Sequence, residues 1–261
     1  MEHETPSPDP SRRTSSSERA YVGTELPLFA KAVHWKRYFG RALSPYVGGD
    51  VLEVGAGFGG TTPFLLTADV RSWTALEPDP ELAHAFSAHV RSAGVNVETE
   101  IRIGTVADLP GGRMFDCITY IDVLEHIEDD AAELASAAKL LRPGGHLVVL
   151  SPAYRWLYSE FDKAVGHFRR YTISSLRSAG PASLVPTRFF HLDAVGVAAS
   201  FANRMLLRQS APTATQIEFW DRRIVPISRI VDPLVLRSCG RSVIGIWRCP
   251  DSALRRGGTR G

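Results

Sequence analysis

Residues 51–60, which read VLEVGAGFGG, decide the fold of this chain, and about twenty residues later residues 75–79 read ALEPD. An apolar run that breaks into glycines predicts a strand followed by a tight turn, and the second run predicts a strand that ends in the acid Glu77. The order strand, glycine turn, helix, strand and acid is typical of a parallel α/β sheet that binds a nucleoside. The sequence therefore indicates an enzyme with a bound cofactor.

Size and charge favour one α/β domain that acts on a small molecule. The chain has 261 residues, and 30 basic against 28 acidic side chains give a net charge of +2. A charge this close to zero gives no general attraction to nucleic acid or to an anionic membrane. The three cysteines, at positions 117, 239 and 249, form no CxxC pair and have no metal-ligand spacing. We therefore expect reduced thiols and no bound metal.

The ends of the chain are predicted to be disordered tails, at residues 1–19 and 251–261, because they are polar and lack an apolar core. Residues 20–49 are predicted to be an N-terminal helical cap, and residues 50–250 the enzyme domain. The first tail does not resemble a signal peptide, and no apolar run is long enough to cross a membrane. We expect a cytoplasmic protein without a membrane span.

The rest of the chain alternates between strand and helix patterns, which predicts a parallel sheet with helices on both faces. The fold prediction is a Rossmann-like, doubly wound α/β sheet of seven strands, mostly parallel with an antiparallel last strand. Residues 193–240 are too long for a plain loop and are predicted to form a helical lid before that last strand. Predicted strands are 50–54, 72–77, 97–103, 115–120, 146–150, 184–192 and 241–249, and predicted helices are 26–46, 59–67, 80–93 and 129–141.

The glycine spacing bears on the kind of nucleoside. Glycine lets the backbone turn sharply and approach a ligand where a side chain would collide. The carboxylate of Glu77 can accept hydrogen bonds from both hydroxyls of a ribose. The glycines depart from the GxGxxG spacing of dinucleotide sites, so the sequence does not call for a pyrophosphate.

At this point the sequence resembles the class I S-adenosylmethionine-dependent methyltransferases of the small methyltransferase domain type. The resemblance covers about residues 50–150, and weaker similarity extends to residue 248. It implies a methyltransferase with S-adenosylmethionine as its cofactor. The motifs that carry it, in order, are LEVGAG at 52–57, LEPD at 76–79, GTVADLP at 104–110, FDCITYIDVLEHI at 115–127 and LRPGG at 141–145.

The resemblance implies where the cofactor lies along the glycine loop. It implies that Glu77 holds the ribose hydroxyls, that Pro78 packs against the adenine, and that Glu53 lies close to the loop. The loop residues that it places beside the methionine part and the ribose are Gly55, Ala56, Gly57 and Gly59.

The resemblance also assigns residues after the third and fourth strands. Many relatives carry an Asp that binds the adenine amino group where this chain has Thr105, which leaves the backbone at Val106 and the side chain of Asp108 to read the adenine edge. Ile121 and Asp122 are expected beside the methionine carboxyl and amino groups. The alternative for Asp122 is a helix N-cap.

Two histidines are candidates for a general base, because the pKa of histidine lies in the working range. His126 belongs to the Glu125-His126 pair, for which the alternative is a structural role in orienting the loop. His167 lies in the aromatic and arginine-rich segment after the fifth strand, where the family's Asp-x-x-x-Gly-His-x-Arg-Arg-Tyr block occurs.

The same segment adds Tyr154 and Asp162 as catalytic candidates. For Asp162 the alternative is an ion pair with Arg169 or Arg170 that fixes the loop. The arginines are alternatively ligands for a carboxylate or phosphate on the acceptor, through bidentate hydrogen bonds. Aromatic and ionisable groups together suit a pocket that excludes water around a polar acceptor.

The leading hypothesis is methyl transfer to an oxygen or nitrogen of a small molecule in biosynthesis. One alternative keeps the cofactor but cyclises or cleaves it, with release of methylthioadenosine. A second alternative is a non-catalytic partner subunit. The intact glycine loop and Glu77 argue against it, because a protein that kept the fold only for assembly would not need them. Nucleic acid is not expected as a partner, because residues 121–124 read IDVL and not the Asn/Asp-Pro-Pro-aromatic motif. Peripheral contact with lipid stays open, since the lid interleaves arginines with apolar residues.

Overall fold

The structure of the chain is a computed structural model in which residues 25–206 and 213–251 are described. The predicted tail at 1–19 lies outside the described residues, as does the predicted tail at 251–261 beyond its first residue. No helix in the two described ranges is long and apolar enough to cross a membrane.

Seven strands of the described chain form one sheet: β1 (Gly49–Val54), β2 (Val70–Glu77), β3 (Glu98–Ile103), β4 (Phe115–Ile121), β5 (Leu141–Pro152), β6 (Val185–Leu192) and β7 (Ser242–Arg248). Their order is β3-β2-β1-β4-β5-β7-β6. Strands β1 to β5 pair in parallel, and β7 is antiparallel to both β5 and β6. The predicted doubly wound, mostly parallel seven-stranded sheet is confirmed. Its strand order reverses between β1 and β4, where such sheets bind ligands.

The helices on the two sheet faces follow the predicted alternation. Successive β1 residues Val51 and Leu52 face different clusters of buried side chains, as expected for a strand covered on both sides. The helices are α1 (Glu25–Ala30), α2 (Val33–Leu43), α3 (Thr62–Leu65), α4 (Pro80–Ser92), α5 (Asp130–Ala138), α6 (Glu160–Ala164), α7 (Ile173–Ala179), α8 (Ala194–Leu206), α9 (Ala214–Phe219) and α10 (Val225–Leu234).

Two helix predictions need correction. The predicted helix at 26–46 is broken into α1 and α2, and the break lets Phe29 and Trp35 both contact the ring of Trp220, at 6.2 and 5.7 Å between centroids. The predicted helix at 59–67 begins only at Thr62. The preceding glycines are used by the loop at the sheet edge, so they are not available to the helix.

The lid joins α8 to α10 through a π-helix, Trp220–Ile224, and buried acids bind it to the N-terminal cap. Asp221 Oδ1 accepts a hydrogen bond from Trp35 N at 2.8 Å and Oδ2 accepts one from His34 N at 3.2 Å. These amides are among the first of α2, which have no partner within the helix. A carboxylate from the lid therefore caps the start of α2, where the helix dipole also favours negative charge.

Candidate active site

A cavity of about 490 Å³ opens at the carboxyl ends of β1, β2 and β4. Small-molecule sites commonly have volumes of roughly 300–1,000 Å³. Its wall combines the cap, the glycine loop, the ends of the strands and the lid. Residues that represent these parts are Trp35, Gly55, Glu77, Asp122, His167 and Trp220.

One residue of the glycine loop lies too close to a neighbouring side chain to be anything other than glycine. Gly55 has a φ of 68°, and a Cβ built there would lie 2.6 Å from Val123 Cγ2. Both the left-handed backbone and the close approach require glycine. The loop is held by Gly57 N, which donates to Glu77 Oε2 at 2.7 Å.

Two buried glutamates support the loop from the strands below it. Glu77 also accepts a hydrogen bond from Asp79 N, at 2.9 Å to Oε1. Burial raises the pKa of Glu77, and the two amide donors oppose this change. Glu53 Oε2 accepts hydrogen bonds from Thr62 Oγ1 at 2.6 Å and Trp73 Nε1 at 2.9 Å. Burial raises the pKa of Glu53 to about 7.

Most of the predicted cofactor residues line the cavity, and two do not. Gly59 packs against α4, since a Cβ there would lie 2.6 Å from Val90 Cγ2. Val106 is buried in the apolar core on one side of the sheet. The predicted cofactor residues that do line the cavity are Glu53, Gly55, Ala56, Gly57, Glu77, Pro78, Thr105, Ile121 and Asp122.

Asp108 is occupied by a local turn. Its Oδ2 accepts hydrogen bonds from Thr105 N at 2.8 Å and from Thr105 Oγ1 at 2.9 Å, which forms a capping box. The expectation that Asp108 reads the adenine edge has no support in this geometry. Thr105 itself lines the cavity.

Asp122 stands at the end of β4 with its side chain open to the cavity. Its φ is 54°, and its backbone N donates to Leu150 O at 2.8 Å. The short helix that follows, Leu124–His126, has Val123 at its N-cap, so the alternative role of Asp122 as a helix cap is excluded. Desolvation of the carboxylate raises the pKa of Asp122, and the charges of His167 and Arg241 oppose this change.

Glu125 is a buried residue of the cavity wall. Its Oε2 accepts a hydrogen bond from Ser151 Oγ at 3.0 Å, while Oε1 has no hydrogen-bond partner among the described residues. Burial, followed by the nearby charge of Asp122, raises the pKa of Glu125 well above its usual range.

His167 contacts a buried carboxylate through its ring. Its Nδ1 lies 2.9 Å from Asp162 Oδ1, and Asp162 also receives Arg170 Nε at 2.7 Å and Ser159 N at 2.8 Å. Burial alone would raise the pKa of Asp162, but the hydrogen bonds from His167 and Arg170 hold it well below its usual range. An ionised carboxylate only accepts, so Nδ1 of His167 is the donor and Nε2 is left as an acceptor when the ring is neutral.

Asp162 and Tyr154 make contacts that differ from those expected of side chains touching an acceptor. Asp162 is fully buried, and His167, Arg170 and Ser159 use its carboxylate, so it does not reach an acceptor. The alternative role of an ion pair with Arg170 is the one observed. Tyr154 stacks on Trp156 and His191, at 5.6 and 5.2 Å between centroids, and is not part of the cavity wall.

His126 lies next to His167 in the wall, with 4.6 Å between the ring centroids. Burial, followed by the charge of His167, lowers the pKa of His126 to about 4, so His126 is neutral near pH 7. Donor atoms of Glu125, His126 and His167 all lie within 4.8 Å of one another. These are donor types that bind divalent metals, which the cysteine spacing gave no reason to expect.

Three further residues of the wall were not singled out from the sequence. Trp220 comes from the lid, Arg241 immediately precedes β7, and Lys36 comes from α2. Lys36 Nζ donates to Ala30 O at 3.1 Å, and burial lowers its pKa to about 8. A signal existed for Arg241, because the first residues of an antiparallel strand lie at the edge where its parallel neighbours end.

The sheet order, the antiparallel β7 and the glycine loop facing an acid at the end of β2 together define a class I S-adenosylmethionine-dependent methyltransferase. A model of the methyltransferase domain family matches residues 29–194, more than half of the chain. The chain belongs to this family.

Curated relatives match a part of the chain. A ubiquinone biosynthesis O-methyltransferase from Xanthomonas axonopodis pv. citri (strain 306) is 34% identical over 127 residues, which is 48% of this chain and 52% of the relative. The protein of the same name from Xylella fastidiosa (strain 9a5c) is 36% identical over 129 residues, 49% of this chain and 51% of the relative. The chain spans about half the length of these relatives.

Solved structures share the fold at low sequence identity. The N-methyltransferase NodS from Bradyrhizobium japonicum WM9, in complex with S-adenosylhomocysteine, is 14% identical with a TM-score of 0.56 over 90% of this chain and 97% of that chain. The [4+2]-cyclase SpnF is 14% identical with a TM-score of 0.57 over 88% of this chain and 96% of that chain.

The cavity fits the cofactor of this class, S-adenosylmethionine. Gly55, Ala56 and Gly57 of the loop line the cavity, and Glu77 lines it beside the loop. The open carboxylate of Asp122 suits the amino group of the methionine part, and Lys36 provides a positive charge near the glycine loop for its carboxylate. When bound, the cofactor supplies a methyl group on a sulfonium, which is already an activated electrophile.

Proposed function

We propose that this protein transfers a methyl group from S-adenosylmethionine to an oxygen or nitrogen of a small-molecule acceptor, with oxygen favoured. The supporting observation is that one cavity has the glycine loop and Glu77 on one wall and His167, which is bonded to the buried Asp162, on another. The partial match to relatives named as O-methyltransferases supports oxygen.

In this proposal His167 accepts the proton of an acceptor hydroxyl at Nε2. Asp162 fixes the ring orientation and stabilises the charged imidazolium, as a carboxylate does when it is bonded to the other ring nitrogen. Trp35 and Trp220, on the cap and lid sides of the cavity, exclude water from the reacting groups. Positioning of the acceptor against the methyl group supplies a large share of the acceleration.

Product analysis tests the reaction type. The protein is incubated with labelled S-adenosylmethionine and a panel of phenols, catechols, hydroxybenzoates, alcohols and amines, and products are identified by mass spectrometry. We expect S-adenosylhomocysteine together with one methylated acceptor. Parallel reactions with EDTA, with and without added Mg²⁺, establish whether the Glu125, His126 and His167 cluster contributes through a metal.

A second candidate is non-methyl chemistry on the same fold. The structural similarity to a protein named as a [4+2]-cyclase supports it, because the fold alone does not specify methyl transfer. Release of methylthioadenosine, or conversion of a substrate while S-adenosylmethionine stays intact, would replace the leading proposal. Absence of S-adenosylmethionine binding in calorimetry would favour the third hypothesis, a non-catalytic subunit.

We further propose peripheral contact with an anionic lipid surface through the outer face of α10. Ile227, Ile230 and Leu234 are 48%, 69% and 77% exposed. Between residues 220 and 240 both acids, Asp221 and Asp232, are buried, and the exposed carboxylate of Glu218 just before this stretch is paired with Arg222 at 3.2 Å. The exposed arginines beside this face are Arg223 and Arg229.

Cosedimentation with vesicles tests this contact. We expect binding to vesicles that contain phosphatidylglycerol, and weak binding to vesicles of phosphatidylcholine alone. An Ile230→Ser variant should lose the binding while keeping its affinity for S-adenosylhomocysteine. Dimerisation in solution that Ile230→Ser abolishes, without vesicle binding by the wild type, would assign the face to a second copy of the chain.

A further inference from the structure

Arg241 is a positive charge in the cavity wall that the reaction as proposed above does not use. It immediately precedes β7, and Ser242 at the start of β7 pairs with Pro152 at the end of β5. Pro152, Ser242 and Arg241 all line the cavity, as His167 does, and the charges of His167 and Arg241 both act on Asp122. Arg241 is therefore placed at the acceptor end of the site.

The backbone of Arg241 is fixed on both sides. Its N donates to Asp193 O at 3.0 Å, and its O accepts from Ala153 N at 2.8 Å. The guanidinium lies over the ring of Trp220, at 4.5 Å from the centroid. The ring attracts the cation, and the N–H groups of a guanidinium lie in its own plane, where they can bind an anion.

Three carboxylates lie near enough to Arg241 to act on its charge, namely Asp193, Asp122 and Asp162. Asp122 faces the cavity, and the other two are occupied by other donors. Asp193 accepts hydrogen bonds from Trp220 Nε1 at 2.8 Å and Ser228 Oγ at 2.6 Å. Asp162 is bound by Arg170 and His167. No carboxylate in the described part of the chain lies within ion-pair distance of the Arg241 guanidinium. The half-buried guanidinium of Arg241 therefore lines the cavity without an ion-pair partner, and an anionic ligand in the cavity can supply one.

The cofactor has a different cation available. Lys36 Nζ lies 3.5 Å from the position of a Cβ on Gly60, beside the glycine loop. The amino-acid end of the cofactor is expected at this loop, so its carboxylate has Lys36 nearby. Arg241 lies on another wall, at the β5 and β7 ends.

We propose that Arg241 binds an anionic group, a carboxylate or a phosphate, on the acceptor. This inference rests on the proposed methyl transfer, because it assigns the second substrate of that same cavity. A guanidinium binds either group through two parallel hydrogen bonds, and this geometry would orient the acceptor as well as attract it.

Binding measurements on the complex with S-adenosylhomocysteine test the proposal without turnover. Two matched pairs of probes are titrated by calorimetry: 3,4-dihydroxybenzoate against catechol, and phenyl phosphate against phenol. We expect the anionic member of at least one pair to bind about tenfold more tightly or better to the wild type. The pair that shows the preference distinguishes a carboxylate from a phosphate.

The Arg241→Met variant should lose this preference and keep its affinity for S-adenosylhomocysteine. The matched control is Arg188→Met, since Arg188 also lies over an aromatic ring, Phe190 at 5.2 Å, but outside the cavity. The control should keep the preference. If circular dichroism shows that Arg241→Met is unfolded, Arg241→Gln replaces it with the same expected outcomes.

Three results would overturn the proposal: no anion preference in the wild type, a preference that survives in the neutral variant, or a weakened affinity for S-adenosylhomocysteine as the variant's main effect. The reaction is followed separately by release of S-adenosylhomocysteine from S-adenosylmethionine. An anion preference without any methyl transfer contradicts the proposed function alone. Transfer to neutral acceptors without an anion preference contradicts the role of Arg241 alone.

Discussion

At the scale of single residues, Glu77 connects the glycine loop to the second strand. Both of its oxygens accept backbone amides, from Gly57 and Asp79, so the carboxylate shapes the loop in addition to facing the cavity. We expect Glu77→Ala to weaken binding of S-adenosylhomocysteine by roughly 1–3 kcal/mol in calorimetry, through lost hydrogen bonds. Glu81→Ala, at an exposed position of α4, is the control. Equal affinities for the two variants would show that the ribose is placed wrongly.

The next residue prediction concerns His167, whose Nδ1 is bonded to Asp162. If Nε2 removes the acceptor proton, His167→Asn should lower kcat by roughly 10²–10⁴-fold and leave the affinity for S-adenosylhomocysteine unchanged. The assay uses the acceptor found in the product screen. His84→Asn is the matched control, because His84 is exposed on α4. A loss of rate that follows His126→Asn and not His167→Asn would transfer the role to His126.

Glu53 gives a prediction for the pH dependence of stability. Its pKa is raised from 4.5 to about 7 by burial, so the folded protein holds an extra proton between these values. The stabilisation from this group is present below the unfolded pKa and is lost as pH rises through about 7. In urea unfolding, as the pH rises from 4.5 to about 7, the free energy of unfolding should fall by on the order of 1–3 kcal/mol more for the wild type than for Glu53→Gln.

The control for that measurement is Glu98→Gln, which makes the same change at an exposed position of β3. Its profile should follow the wild type. Parallel profiles for the wild type and Glu53→Gln would show that Glu53 is ionised in the folded protein at neutral pH.

At the scale of elements, Asp232 joins the lid to the cap and to β6. Its Oδ2 accepts from Tyr38 OH and Asp193 N, both at 2.7 Å, and its Oδ1 accepts from Ala194 N at 2.8 Å. We expect Asp232→Ala to lower the free energy of unfolding by roughly 2–4 kcal/mol, because three donors lose their acceptor in the interior. Denaturant unfolding measures this change. Glu218→Ala, exposed in α9, should change stability by less than about 0.5 kcal/mol.

The strands around the glycine loop were predictable because their signals are local. The apolar run of β1 and the acid that ends β2 lie within about thirty residues of each other. The hydrophobic pattern within each segment is enough to predict a strand. The bond between the lid and the cap joins Asp221 to Trp35, which are 186 residues apart. Nothing near Asp221 in the sequence distinguishes a buried helix cap from an exposed acid. The break between α1 and α2 depends on the same long-range packing against Trp220, so periodicity alone does not show it.

The candidate site also has one part that the sequence predicts and one part that depends on tertiary contacts. The cofactor half follows contiguous motifs, and most residues chosen from them line the cavity. On the acceptor side, residue type alone suggested catalysis for Asp162 and Tyr154. Only the tertiary contacts show that the carboxylate of Asp162 is bonded to His167 and Arg170, and that Tyr154 stacks outside the cavity.

At the scale of the whole molecule, the cavity joins parts of the chain that are distant in sequence. Trp35 and Lys36 come from the cap, Gly55 from the loop after β1, and Trp220 from the lid. A ligand that contacts all of these parts should stabilise them together, and at about 100 times its Kd it adds roughly 2.7 kcal/mol to the folded state. Binding of S-adenosylhomocysteine should therefore slow hydrogen exchange in α2, in the glycine loop and in the π-helix of the lid at the same time.

Hydrogen exchange with mass spectrometry, with and without S-adenosylhomocysteine, measures this coupling. Helix α7 serves as an internal reference, since it packs on the other side of the sheet and none of its residues lines the cavity. Glu77→Ala should reduce the protection in all three segments together at a fixed ligand concentration, because the protection depends on the bound fraction. Protection confined to the glycine loop and the end of β2 would mean that the cap and lid do not close on the cofactor. The cap and lid would then contact the acceptor instead.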